Sequence, residues 1–126
     1  VIPSDLKYTK EHEWVKVENK TAIIGITDYA AGELGDIVFV EMPKVGTKVQ
    51  QMKAFGTIEA VKAISDLFCP VSGEVVEINN DVANEAGVIN QDPYGKGWII
   101  KVKLSNPGEL DSLLSSADYE ASLKKS

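Results

Sequence analysis

Few side chains in this sequence are placed to do covalent chemistry, and most of them point away from catalysis. His12 is the single histidine, set between Glu11 and Glu13, a residue type that serves as general base when a nucleophile stands nearby. No nucleophile adjoins it, no HExxH pattern surrounds it and no second histidine completes a metal site, so a structural histidine is expected. Cys69, the single cysteine, lies between Phe68 and Pro70 in an apolar run and reads as a small core hydrophobe. Alone it forms no intrachain disulfide. Gly32 and Gly35 lack the frame and the strand-glycine-helix order of a phosphate loop. Trp14 and Trp98 read as core residues of strands, without the basic surroundings of a base-stacking platform.

Lys62 is the residue that remains. It stands in the stretch Ala54 to Cys69, with apolar runs on both sides. As one strand that stretch would be about three times the usual five or six residues, so it must bend. Two strands of ordinary length meeting near Val61-Lys62-Ala63 would put the lysine outermost. Yet no Gly, Asn, Asp or Pro lies within three residues of Lys62, and Ile58, Val61 and Ser65 fit one side of a helical turn equally well. Periodicity leaves hairpin and helix both open.

The elements that must position this lysine are mostly strands. Trp14 to Glu18, the turn pair Asn19-Lys20 and Thr21 to Ile26 read as a hairpin. Thr27 or Asp28 caps a short helix over Tyr29 to Leu34, and Gly35 ends it. Ile37 to Val40 is expected as a buried strand stopped by Pro43. Glu74 to Ile78 is another strand, Asn79 to Asn90 reads as loop with a helical turn at most, and Gly97 to Val102 returns to strand. Asn106-Pro107-Gly108-Glu109 is a helix-start signature, followed by an apolar stripe of Leu110, Leu113 and Leu114. A second short helix is expected from Ala117 to Lys125, with Tyr119 and Leu123 four apart and lysines near its negative end. Val45 to Val49 and Val71 to Val75 are weakly similar, a hint of an internal repeat.

The chain has 126 residues, 44% hydrophobic and 25% charged, the composition of one globular domain over 1–126. Its strand core spans about 20–104 and its C-terminal helical segment about 106–125. At this length folding buries roughly two thirds of the unfolded surface, so neither disulfide nor structural metal is needed. No run approaches the roughly eighteen apolar residues of a membrane span, and Val1 to Asp5 lacks the features of a signal peptide. A soluble, intracellular protein is expected. The net charge of −6 argues against nucleic acid as a ligand and suits basic partner surfaces, besides serving solubility.

One resemblance decides between the readings of Lys62. Glu59-Ala60-Val61-Lys62-Ala63-Ile64-Ser65-Asp66-Leu67, followed by Pro70-Val71-Ser72-Gly73-Glu74, resembles the lipoyl-lysine signature of glycine cleavage H proteins. Further blocks match in order: Tyr8 to Val15, Gly25 to Ala30, Leu34 to Val40, Asp92 to Gly95 with Gly97-Trp98, and Glu109-Leu110. The likeness runs from about Leu6 to Tyr119. It departs at Cys69, at Val82 to Val88 and at Gly32, which interrupts a helix that other members fill with better helix formers; none of these touches Lys62.

The resemblance implies a mainly β barrel-sandwich hybrid, lipoyl-domain-like, with short helices that include the C-terminal ones. It implies lipoate as cofactor, attached at Lys62 as N6-lipoyl-lysine on a hairpin tip, in a monomeric carrier without catalysis of its own. The implied partners are a pyridoxal-phosphate glycine decarboxylase, which loads an aminomethyl group on the arm, a tetrahydrofolate-dependent aminomethyltransferase, which takes the carbon, dihydrolipoyl dehydrogenase and a lipoyl-attaching enzyme. Glu13 and Asp66 are the carboxylates expected in a cleft for the arm, with Glu11 and Glu33 as weaker candidates. Glu59, three before the lysine, and Gly46, sixteen before it, are the positions implicated in recognition for lipoylation, although Gly46 also suits a plain turn and Glu59 a solvated strand. The expected compartment is the cytoplasm in a bacterium or the mitochondrial matrix in a eukaryote. The alternatives are a lipoyl domain or lipoate-relay carrier serving 2-oxo acid dehydrogenases. A biotinyl carrier is disfavoured because Lys62 lacks flanking methionines, and a small hydrolase using His12 is the remaining enzymatic reading.

Overall fold

The computed structural model describes residues 2–124. Among these described residues, nine strands form two unclosed sheets. They are β1 (Lys7–Tyr8), β2 (Glu13–Glu18), β3 (Thr21–Ile26), β4 (Ile37–Glu41), β5 (Lys48–Val49), β6 (Ala54–Ala60), β7 (Ile64–Phe68), β8 (Gly73–Ile78) and β9 (Ile100–Leu104). Four short helices are interspersed: α1 (Asp28–Leu34), α2 (Asn80–Asn84), α3 (Val88–Gln91) and α4 (Ser116–Lys124). The larger sheet has the order β1-β2-β3-β9-β8-β5 and the smaller β4-β6-β7, with every pairing antiparallel. The two sheets enclose one core that includes Ile24, Ile58, Leu67, Val75, Ile100 and Val102.

Local sequence accounts for several elements directly. The β2–β3 hairpin turns at Asn19, whose φ of 60° is a left-handed conformation that asparagine tolerates. Thr27 caps α1 by accepting a hydrogen bond from Ala30 N at 3.2 Å, and Gly35 at φ 79° ends it. Gly32 inside α1 would meet no atom within 4 Å if it carried a Cβ. Gly32→Ala is therefore expected to stabilise the protein by about 1 kcal/mol in urea unfolding, the helix-propensity difference. The two weakly similar segments pair with each other: Lys48 lies opposite Glu74 and Val49 opposite Gly73.

Elsewhere the expectation needs correction. In β4, Ile37 and Val40 are buried, but Val38 and Phe39 are each 53% exposed. A register shift between Ile37 and Phe39 adds a residue and turns both side chains outward. The stretch Asn79 to Asn90 is not loop but holds α2 and α3, because Val82 and Ile89 are fully buried and Asn79 accepts from Asp81 N to start α2. Strand β9 begins at Ile100, not Gly97; Gly97 is bent back by a bond from its N–H to Asp92 O at 2.9 Å. Trp98 is half-buried outside any strand, with Lys101 Nζ 4.9 Å from its ring centre, a basic neighbour that the sequence reading denied it.

The signature at Asn106 opens a 3₁₀ turn, Pro107–Ser112, that Asn106 does not cap and that excludes Leu113 and Leu114. The Glu109 carboxylate is tied to Ser72 N at 2.7 Å and Ser72 Oγ at 2.8 Å, which anchors this segment to the loop before β8. The last helix spans Ser116–Lys124, and Lys125 lies outside the described residues. Tyr119 of α4 is fully buried, stacked on Tyr8 at 4.8 Å in a second cluster with Leu6 and Trp14, so the C-terminal helix clamps the N-terminal strand.

Candidate functional site

Lys62 sits at the tip of the hairpin formed by β6 and β7. Glu59 pairs with Ile64, Ala60 N donates to Ala63 O at 2.7 Å, and Val61 and Lys62 make the two-residue turn between. Val61 is 76% exposed and Lys62 is exposed. Neither has a positive φ, which is why turn composition gave no sign of the bend. Instead the tip is held from outside, by a bond from Val61 N to Asp36 O at 3.0 Å. The lysine stem lies over Gly35: a Cβ built there would stand 3.3 Å from Lys62 Cε and 3.8 Å from Nζ. None of the three ion pairs among the described residues involves Lys62, so no carboxylate competes for its amine.

The other predicted residues fall into three places. Cross-strand partners project on one face of a sheet, and here Phe39, Glu59 and Ile64 form one exposed row, with Glu41, Thr57 and Asp66 in the next. Glu59 and Asp66 thus share the outer face of the three-stranded sheet beside the tip. Glu13 is quite different, 2% exposed. It accepts a hydrogen bond from Thr9 Oγ1 at 2.5 Å and one from Phe68 N at 3.4 Å, which sets it against the strand that carries Asp66. Gly46 belongs to a turn at the edge of the larger sheet, with φ 97° and its N–H donated to Val75 O at 2.7 Å. Its conformation by itself calls for glycine. Glu11 and Glu33 are exposed, and their charges favour the charged form of the His12 ring.

Burial dominates the electrostatics. It pushes the Glu13 carboxyl up to about 8 against the hydrogen bonds from Thr9 and Phe68, which favour the ionised form. The folded protein therefore keeps a proton on Glu13 that the unfolded chain sheds near 4.5. This contribution to stability is complete below about 4.5 and declines as pH rises toward 8. Glu13→Gln is expected to flatten that decline in denaturation midpoints measured from pH 5 to 8.

His12 is structural, as expected. At φ 70° it bonds the Tyr119 hydroxyl through Nδ1 at 2.8 Å and lies 4.8 Å from the Tyr29 ring, and burial lowers its affinity for a proton. Cys69 is fully buried and its thiol is pushed up to about 12 by burial, the state of an unreactive core residue. Sequence reading missed Thr9 and Tyr119. No spacing rule links Thr9 to Glu13, and Tyr119, whose hydroxyl joins His12 to Thr27 at 2.8 Å, comes from the far end of the chain.

A lysine amine exposed on a two-residue turn of a three-stranded sheet, and in none of the ion pairs among the described residues, has the geometry of a carrier domain, a rigid support for a projecting side chain. The comparisons specify which kind. The chain belongs to the glycine cleavage H-protein family, whose model matches residues 6–126. It is 55% identical over 124 residues to the glycine cleavage system H protein of Symbiobacterium thermophilum, covering 98% of this chain and 97% of that one. To the H protein of Carboxydothermus hydrogenoformans it is 56% identical over 125 residues, covering 99% and 96%. The crystal structure of a glycine cleavage system H protein from Mycobacterium marinum superposes with a TM-score of 0.91 at 36% identity, over 98% of this chain and 99% of that one. The architecture is accordingly the lipoyl-domain-like barrel-sandwich hybrid with short helices. The chain is a non-catalytic lipoyl carrier of the glycine cleavage system. The match across 6–126 does not favour a 2-oxo acid dehydrogenase lipoyl domain.

Proposed function

We propose that Lys62 is the lipoyl attachment site of this carrier. The observation that carries the reading is the position of Lys62 at an exposed, externally braced hairpin tip. The residues present fit the group: the amine is exposed, and Gly35 leaves room for the stem at its side. Lys62 would hold lipoate in amide linkage, and the dithiolane would supply a sulfur able to carry an aminomethyl group from a pyridoxal-phosphate glycine decarboxylase to an aminomethyltransferase and a dithiol that dihydrolipoyl dehydrogenase could reoxidise. The chain's own part is mechanical and electrostatic. The two antiparallel strands keep the lysine backbone still while its side chain swings. In this reading Glu13, bonded to Phe68 N at the end of β7, and Asp66, exposed on the same strand, are the carboxyl groups that receive an ammonium carried on the arm.

Glu59 and Gly46 serve the lipoyl-attaching enzyme in this reading, Glu59 as an acidic mark on the exposed face beside the tip. Glu59→Gln is expected to slow lipoylation about fivefold, the size of one lost charged contact at an exposed rim, with stability unchanged; parallel rates for the two proteins would remove it from recognition. The relatives named above are bacterial, which favours the cytoplasm over a mitochondrial matrix. No helix among the described residues is long and apolar enough to cross a membrane. Intact mass with peptide mapping after incubation with lipoate and a ligase tests the attachment: the added mass must fall on Lys62 and on no other lysine. Scoring glycine cleavage separately from lipoylation of other carriers distinguishes this role from a lipoate relay.

A further inference from the structure

Thr9 is buried, 3% exposed, four residues before Glu13. A hydroxyl has one proton to give and two lone pairs to receive. Both receiving positions are filled by main-chain N–H groups, Glu11 N at 3.2 Å and Glu13 N at 3.1 Å. The proton is then left for Glu13 Oε1, at 2.5 Å. A carboxyl oxygen that bears its own hydrogen is the poorer acceptor, so when Glu13 is neutral its proton belongs on Oε2. That atom receives the long bond from Phe68 N at 3.4 Å, and a single bond of this length leaves it hydrogen-bonding capacity toward β7.

We propose that Thr9 is a positioning residue: by fixing Oε1 it makes Oε2 the atom that releases a proton to solvent when an ammonium enters the cleft. The proposal rests on Glu13 belonging to the arm cleft. A neutral acid holds an ammonium poorly and a carboxylate holds it well, so arrival of the cation and loss of the proton are linked. Thr9 favours the ionised form, and so eases that exchange. The titratable groups around Glu13 are Glu11 and His12 on its own segment, Cys69 after β7 and Tyr119 on α4. Burial pushes Cys69 and Tyr119 each up to about 12 and moves His12 down, and Glu11 is exposed.

The first measurement is a ¹³C titration of the Glu13 carboxyl in protein with Lys62 unmodified, as wild type, Thr9→Val and Thr9→Ser. The expected result is a midpoint about one unit higher in Thr9→Val, a tenfold change in proton affinity, with Thr9→Ser at the wild-type value. On lipoylated and loaded protein, Thr9→Val should shorten the half-life of the loaded arm near neutral pH, again by about tenfold, with Thr9→Ser restoring it. Unchanged midpoint and half-life in Thr9→Val overturn the proposal, as does Thr9→Ser behaving like Thr9→Val. Should Thr9→Val fail to fold, the wild-type protein decides: a slowly exchanging Thr9 hydroxyl proton coupled to the Glu13 carboxyl supports the assignment, and its absence overturns it. Glu13→Gln separates the two levels. If it leaves the half-life unchanged, the cleft reading fails; if it shortens the half-life and Thr9→Val does not, Thr9 alone is dismissed.

Discussion

Lys62→Arg should bring lipoyl attachment, and with it glycine-dependent turnover in a reconstituted system, down to background while leaving the fold intact. A guanidinium stays protonated throughout the accessible pH range and offers no amine for acylation. The charge at the tip is preserved, so a loss cannot be assigned to electrostatics. Lys62 is exposed and takes part in none of the ion pairs among the described residues, so the unfolding free energy should move by no more than about 0.5 kcal/mol. The measurements are intact mass after incubation with ligase and lipoate, the glycine cleavage rate, and a urea unfolding curve. A variant that is still modified, or that supports turnover at the wild-type rate, would remove Lys62 from the centre of this protein's function.

A second substitution should do the reverse, sparing the attachment chemistry and damaging its support. Gly56 lies in β6 at the register shift opposite β7, where a Cβ would overlap the Glu41 carbonyl oxygen and crowd Glu41 C at 3.2 Å. The obstruction is main chain, which has no rotamer to yield. Gly56→Ala must therefore part β4 from β6, the central strand of the sheet that holds the lysine. The expected cost is about 3 kcal/mol, the upper range for overpacking a close contact, and a fall in Tm of about 10–15 °C for a chain of this size. At temperatures where the variant is still folded, lipoylation of Lys62 should persist. A Tm within about 2 °C of wild type would show that the two strands separate at little cost. The opposite sign expected for Gly32→Ala, where the space is open, makes the pair a test of whether close approach or propensity governs each glycine.

The division between sequence and tertiary structure follows from the range of the forces involved. Asn19, Thr27 and Gly35 act within a few residues of themselves, through a left-handed turn, a cap on Ala30 N and a helix stop, and those elements were legible in order and in extent. The lysine signature was legible as well, together with the family it belongs to and the need for a bend near Val61. The form of the bend was legible through that resemblance alone, and not through turn chemistry or periodicity. It contains no turn-forming residue, because the carbonyl of Asp36, 25 positions earlier in the chain, receives the Val61 N–H and holds the tip in place.

Long-range partners likewise decided the rest. Val38 and Phe39 face outward because of a bulge set by pairing with β6, and α2 and α3 form in a polar stretch because Val82 and Ile89 find the core. Glu13 shows the limit most plainly. Its side chain is the same carboxylate as its neighbour Glu11, yet one is exposed and the other is closed in against Thr9 and Phe68. A sequence determines which groups can ionise. The enclosure that removes water from one of them, and with it the charge at neutral pH, exists only once strands distant in the chain have packed together.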